Sequence, residues 1–238
     1  LQKKELNMSK SEISITTTEG NLMGYLSSPK ENGPGIIVIQ EIFGVNQWLR
    51  NVCDNLAEKG FYALAPDLFW RLQPGIQLDP TDENDFSKGL ELYGKFNVDQ
   101  SIKDIQSSID TLRNIDGCSG KVGSVGYCLG GLLTYLTAAR TDVDASSGYY
   151  GVGIEGVLGE SEEIKSPLQL HFAEKDSFVP IETAKSICNQ LEKNNSVTTF
   201  IYPNCDHGFA RDTDPTHYDA SAADLANSRS LDLFRNKL

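Results

Sequence analysis

Gly126-Tyr127-Cys128-Leu129-Gly130-Gly131 is the stretch on which the reading of this chain turns. An apolar run, residues 121–127, leads into it, and an apolar helical pattern, residues 129–139, follows at once. A strand that passes directly into a helix leaves Cys128 at the apex of a tight turn. Glycines at 126 and 130 suit such a turn, because neighbouring backbone comes too close for a β-carbon. The turn lifts the Cys128 side chain above the strand and sets it at a helix N-terminus, where partial positive charge favours a thiolate. The Leu129 N–H is placed there to serve an oxyanion. The alternative is a glycine-rich strand-to-helix turn around a buried, inert cysteine.

A nucleophile in this setting predicts an acid and then a histidine, each following a later strand. Residues 167–173 form an apolar run that leads to Glu174-Lys175-Asp176, and residues 197–202 lead to Asp206-His207-Gly208-Phe209. His207 is the expected proton-exchange partner of Cys128, with Asp176 holding the imidazole tautomer. Asp206 adjoins His207, but adjacent residues rarely orient each other's side chains, so Asp176 is preferred. A lone Asp or His in a loop is ordinarily a solvated surface group; here chain order and strand context agree on catalysis. His171 sits inside an apolar strand and reads as a core histidine, whereas His217, in a polar loop near Tyr218, reads as facing water. Cys53 and Cys188 fall on apolar helix faces and Cys118 in a peripheral turn. Cys205 reads as an inconsequential loop thiol, with pairing to an oxidised Cys128 as the alternative.

Outward from this centre the chain alternates strands and helices. Residues 12–17 and 21–27 read as a hairpin around Glu19-Gly20. Residues 35–40 are a β-branched run suited to a strand buried on both faces. Trp48, Leu49, Val52, Cys53 and Leu56 recur at helical spacing, and residues 61–65 form another apolar run. Residues 67–82 form a loop long enough to be functional. Asn97 with Gln100 resembles a capping pair opening a helix that places Ile102, Ile105, Ile109 and Leu112 on one face. A strand at 145–150, a helix through Ala184, Ile187, Cys188 and Leu191, and a final helix from about 220 to 236 complete the pattern. The fold class is α/β, with a mostly parallel sheet and helices on both faces. Residues 12–238 are expected to form one domain, after an N-terminal extension, 1–11, in which Met8 is a candidate start.

The 238 residues are 39% hydrophobic, and Lys+Arg 21 against Asp+Glu 33 gives a formal net charge of -12. A chain this long should bury about 70% of its unfolded surface and needs no staples. An acidic chain without basic clusters is a poor nucleic-acid or anionic-lipid binder, and no apolar run approaches the roughly 20 residues of a membrane span. Five cysteines without Cys-x-x-Cys spacing argue against a disulfide framework or a structural zinc site and suggest a reducing cytoplasm. An anionic substrate would need a local cation against the overall field.

The chain resembles the dienelactone hydrolase (carboxymethylenebutenolidase) family, a cysteine-nucleophile branch of the α/β-hydrolase fold. The resemblance runs through Gln40-Glu41-Ile42-Phe43-Gly44-Val45-Asn46, Pro66-Asp67-Leu68, residues 121–131, Gly148-Tyr149-Tyr150-Gly151-Val152-Gly153 and His207-Gly208-Phe209-Ala210-Arg211. It implies that Glu41 meets the resting Cys128 thiol and takes its proton when substrate arrives. It also implies that the Ile42 N–H is a second oxyanion donor beside Leu129, and that Arg211 binds a substrate carboxylate. Phe43, Phe86, Leu90 and Tyr150 are expected to line the substrate pocket with Arg211. After Asp79-Pro80-Thr81-Asp82-Glu83 the family pattern carries a second substrate-binding arginine and, four residues on, a tyrosine; here those places hold Phe86 and Leu90. Lys88 and Arg71 are the candidates to compensate.

The expected activity is therefore thiolate attack on an activated ester or enol-lactone, through a thioester that water then hydrolyses. No metal or organic cofactor is required by that chemistry. The expected partner is a small-molecule ester or lactone, with the protein a monomer or weak homo-oligomer. An esterase of more apolar specificity, a non-catalytic binding homologue and a thiol redox protein are the alternatives.

Overall fold

Alternation of β-branched residues decides how the central strands are buried, and β3 shows it most clearly. In a computed structural model, which describes residues 8–238, Ile37 and Ile39 of β3 (Gly33–Ile39) enter one core while Ile36 and Val38 enter the other. A strand apolar on both faces must be covered on both faces. β1 (Ser9–Thr17) and β2 (Gly20–Ser28) form the antiparallel hairpin, and β2 runs antiparallel to β4 (Tyr62–Pro66). From β4 onward every neighbour is parallel: β5 (Cys118–Tyr127), β6 (Ala145–Tyr149), β7 (Leu168–Ala173) and β8 (Val197–Tyr202), in the order β1-β2-β4-β3-β5-β6-β7-β8. Of the expected N-terminal extension, residues 1–7 lie outside the described residues, and Ser9–Ser11 already pair with β2.

Helices α1 (Gln47–Glu58) and α6 (Ala220–Lys237) pack on the Ile36/Val38 face. Helices α3 (Val98–Arg113), α4 (Leu129–Arg140) and α5 (Ile181–Leu191) pack on the other. Asn46 starts α1, its Oδ1 accepting from the Leu49 N–H at 3.1 Å, while its amide donates to the Leu78 carbonyl at 3.0 Å. Asn97 caps α3 through the Gln100 N–H at 3.0 Å. No helix among the described residues is long and apolar enough to cross a membrane.

Two elements were not visible in the sequence pattern: α2 (Glu83–Lys95) and a 3-10 helix, Ile154–Glu163. Asp82 caps α2, its Oδ1 accepting from Asn84 and Asp85 N–H groups at 2.9 and 3.0 Å. The loop before α2 is pinned to α3. Arg71 makes a two-pronged ion pair with buried Asp104, which also accepts from the Trp70 indole at 3.0 Å. Asp67 closes the same loop by accepting from Phe69 and Gly75 N–H groups at 3.1 and 2.7 Å. Beyond this loop, Phe86, Leu90 and Tyr93 of α2 share one cavity with Ile42 after β3 and Cys128 after β5.

Candidate active site

The turn after β5 is as tight as its sequence demands. Cys128 has φ 57 and ψ -115, a strained conformation for a side chain with a β-carbon. A β-carbon on Gly126 would lie 2.1 Å from the Gly130 carbonyl oxygen, and one on Gly130 would lie 2.4 Å from that of Ile39. The Cys128 N–H donates to the Tyr149 carbonyl at 3.0 Å, fastening the elbow to the end of β6. Leu129 opens α4, and Ile42 follows β3. Both line one cavity with Cys128, and neither N–H has a protein acceptor among the described residues. Two free N–H donors beside a thiol are the arrangement that an oxyanion site requires.

The loops after β7 and β8 bring the acid and the imidazole to this point. His207 Nδ1 lies 2.8 Å from Asp176 Oδ2, and the two side chains are 10% and 1% exposed. Asp176 is itself held by N–H groups of Phe178 and Val179, at 2.8 and 3.1 Å to its other oxygen. Cys128 and His207 line the same cavity, close enough for the thiol to act on the titration of the ring. Burial alone would lower the His207 pKa; the neighbouring Cys128 charge and the Asp176 hydrogen bond outweigh it and raise the pKa to about 10. Tyr150 and Phe178 hold the ring edge to face, at centroid distances of 4.9 and 4.8 Å. The Asp206 carboxylate accepts from the His207 backbone N–H at 2.7 Å and faces His217 Nε2 at 3.6 Å, so the His207 ring is left to Asp176.

This arrangement carries a pH prediction. Because the folded pKa of His207 exceeds its usual value of about 6.5, imidazolium stabilises the fold below that pH and the contribution disappears as pH rises through about 10. A reaction that needs the imidazolium should keep its rate across neutral pH and lose it near pH 10. In Asp176→Asn that alkaline limb should move to lower pH, measured as kcat/KM against pH. An unmoved limb would separate Asp176 from the titration of His207.

Glu41 and Arg211 depart from expectation. Both Glu41 oxygens accept from Arg211 Nη1, at 2.7 and 2.9 Å, and no hydrogen bond joins Glu41 to Cys128 among the described residues. A guanidinium is a far stronger donor than a thiol, so the carboxylate turns to it. Arg211 Nη2 also donates to Asp214 at 2.8 Å, and Asp214 accepts from His217 at the same distance. Arg211 is only 5% exposed, and its Nε lacks a partner among the described residues. Burial pushes its pKa down, but Glu41 and Asp214 more than offset this and hold it above the ordinary value. Burial likewise works to raise the Asp214 pKa, and the Arg211 and His217 contacts bring it below the ordinary value.

The cavity above Cys128 measures about 360 Å³. Phe43, Phe86 and Leu90 line it as expected, joined by Tyr93 and Phe178 at an exposed apolar rim. Tyr150 does not line it. With φ 37 after β6, its ring turns inward beneath His207, fully buried, and its hydroxyl has no partner among the described residues. His217, expected in water, is only about a third exposed and contributes to the cavity wall. Neither candidate cation reaches the site: Lys88 pairs with Glu91 at 3.0 Å, and Arg71 is spent on Asp104 and Glu19. His171 is a core histidine, bonded to Ser147 and Tyr202 and lowered by burial to a pKa of about 3. Cys118 opens β5 and packs partly against the core. Cys205 is buried outside the cavity, its thiol raised by burial to about 11, which gives no support to a pairing with Cys128.

Helix α2 approaches through Gly89, where an added β-carbon would meet the Ile42 carbonyl oxygen at 2.8 Å. Gly89→Ala should push α2 or Ile42 aside by a few tenths of an ångström and misplace one oxyanion donor. We expect kcat to fall by about tenfold or more with little change in Tm, since losing such a donor outright costs roughly 10²–10³. An unchanged kcat would remove Ile42 from the oxyanion site.

Residues 22–238 match the model of the dienelactone hydrolase family. Carboxymethylenebutenolidase of Pseudomonas putida is 40% identical over 222 residues, 92% of this chain and 94% of the relative. The enzyme of that name from Pseudomonas sp. strain P51 is 35% identical over 225 residues, covering 94% of both chains. A Klebsiella pneumoniae structure of dienelactone-hydrolase type superposes with TM-score 0.84 at 26% identity, covering 96% of this chain and 99% of the other.

Proposed function

Since this chain belongs to the dienelactone hydrolase family, whose carboxymethylenebutenolidase members mark it as a hydrolase of ester and enol-lactone bonds, we propose that Cys128 is its nucleophile, with His207 and Asp176 completing the triad. The observation that carries this reading is the Asp176–His207 contact of 2.8 Å beside the elbow cysteine. His207 holds the Cys128 proton as imidazolium, and the thiolate attacks the substrate carbonyl. The carbonyl π-electrons move onto oxygen, where the Ile42 and Leu129 N–H groups receive the charge. As the tetrahedral species collapses, the C–O bond to the alcohol or enol breaks and His207 returns its proton to that oxygen. Water, deprotonated by His207, then attacks the thioester, releasing the carboxylic acid and restoring the thiolate.

Glu41 has no place as the resting partner of the thiol in this scheme, because Arg211 holds both of its oxygens. The same pairing bears on substrate choice. Arg211 already faces two carboxylates, Glu41 and Asp214, and Asp206 adds a third to the cavity wall. Together with Phe86 and Leu90 in the places of an arginine and a tyrosine, this favours neutral, apolar activated esters or lactones over anionic ones. A neutral lactone should therefore show a higher kcat/KM than the same lactone bearing a carboxylate. The opposite order would mean that Arg211 leaves its partners to bind the anion.

The nucleophile itself is tested by iodoacetamide. Activity should disappear with one carbamidomethyl group on Cys128, and substrate should slow the labelling. Full activity after complete labelling of Cys128 would end the proposal.

A further inference from the structure

A second crevice, of about 160 Å³, opens between α1 and α6 and shares no lining residue with the active-site cavity. Its apolar lining comes from Val52 and Leu56 of α1 and Leu231 and Phe234 of α6, with the amides of Asn51, Asn55 and Asn227 beside them. Tyr127, Tyr149 and Trp48 also line it. The Tyr149 hydroxyl is satisfied, at 3.0 Å from Asn227 and 2.7 Å from Ser230. The Trp48 indole N–H and the Tyr127 hydroxyl are different. Neither has a hydrogen-bond partner among the described residues; the two residues are only 5% and 4% exposed, yet neither donor atom is fully enclosed.

Donors that meet no protein acceptor and sit on nearly buried residues are available to an acceptor group placed in the crevice. An indole N–H can only donate, and burial keeps the Tyr127 phenol protonated, so it too offers a proton. The two rings touch edge to face at 4.9 Å, which sets the donors on neighbouring parts of one wall. At the rim, Lys59 and Asp212 contribute one charge of each sign, so the field selects neither anions nor cations. The volume suits one ring, since apolar cavities of about 150 Å³ take up benzene.

We propose that this crevice is a binding site for a neutral, single-ring molecule bearing a hydrogen-bond acceptor, its ring between α1 and α6 and its acceptor on Trp48 and Tyr127. The position matters for the elbow. Tyr127 directly precedes Cys128, and the Tyr149 carbonyl accepts the Cys128 N–H. An occupant therefore touches both residues that fasten the nucleophile, from the side that substrate does not enter.

The chain has two tryptophans, so its indole N–H region in a proton–nitrogen NMR spectrum holds two signals. Trp70, bonded to Asp104, lies outside the crevice and serves as the internal control. Acetophenone is the probe, added to full-length protein carrying one carbamidomethyl group on Cys128 to close the active site. The Trp48 signal should move and saturate while the Trp70 signal stays. Ethylbenzene, with a ring but no acceptor, should bind about threefold to tenfold more weakly, and Tyr127→Phe should weaken acetophenone by a similar factor. A stationary Trp48 signal, equal shifts of both signals, or equal affinity for the two probes would each overturn the proposal. Should Tyr127→Phe fail to fold, the comparison of probes still decides.

Discussion

Cys128→Ala should lose ester and lactone hydrolysis by a factor on the order of 10⁴–10⁶ while keeping the wild-type Tm within a few degrees. The size follows from what remains. The oxyanion donors of Ile42 and Leu129 would still bind the carbonyl, but no atom would be positioned to form the first covalent bond. The small effect on stability follows from the exposure of the site: Cys128 is half-buried at the cavity floor, and its loss leaves the Gly126–Gly130 contact and the Tyr149 tie unchanged. Removing a β-substituent at φ 57 adds no strain to the turn. Kinetics with an activated neutral ester, alongside thermal unfolding, measure both parts. Hydrolysis within tenfold of wild type would require a water activated directly by His207 and would dismiss the thioester route.

The second large effect lies in stability. Arg211→Met should cost about 3–5 kcal/mol, because it strands Glu41 and Asp214, at 2% and 3% exposure, without their shared cation. For a chain of this size that corresponds to a Tm drop of roughly 6–20 °C. Glu41→Gln should be milder, since Asp214 remains to pair with Arg211. In the double variant Glu41→Gln/Arg211→Met part of the loss should return, because one of the stranded charges is gone. Additive losses in that cycle would show that the two groups do not act as a pair in solution.

The proposed line-up of Cys128, His207 and Asp176 was legible because each of its parts has a local signature. Gly126 and Gly130 around Cys128 announce a turn whose sterics admit little else, and Asp176 and His207 follow the apolar runs that became β7 and β8. Helix α2 was not legible: Gly89 and Gly94 dilute its helical propensity, and its apolar residues are few. The signal overlooked was Asp82, a capping residue two and three positions before the N–H groups it accepts. The Glu41–Arg211 pair spans 170 positions of sequence, and nothing near either residue states which of several charges the other will meet. Tyr150 illustrates the same limit on a smaller scale. The sequence pattern carried the strand through Tyr150, whereas the left-handed backbone that ends it at Tyr149 and turns the Tyr150 ring beneath His207 depends on packing against Phe209 and His207. Sequence locates the chemistry along the chain, whereas partner choice among buried charges is settled by the tertiary fold.

The most direct test is to catch the acyl group in place. Protein mixed with a slowly hydrolysed aryl ester, quenched in acid within one turnover and digested, should yield the peptide containing Cys128 heavier by one acyl group. That mass should vanish on treatment with hydroxylamine. Unmodified Cys128 during steady turnover, or an acyl group found on another residue, would contradict the account.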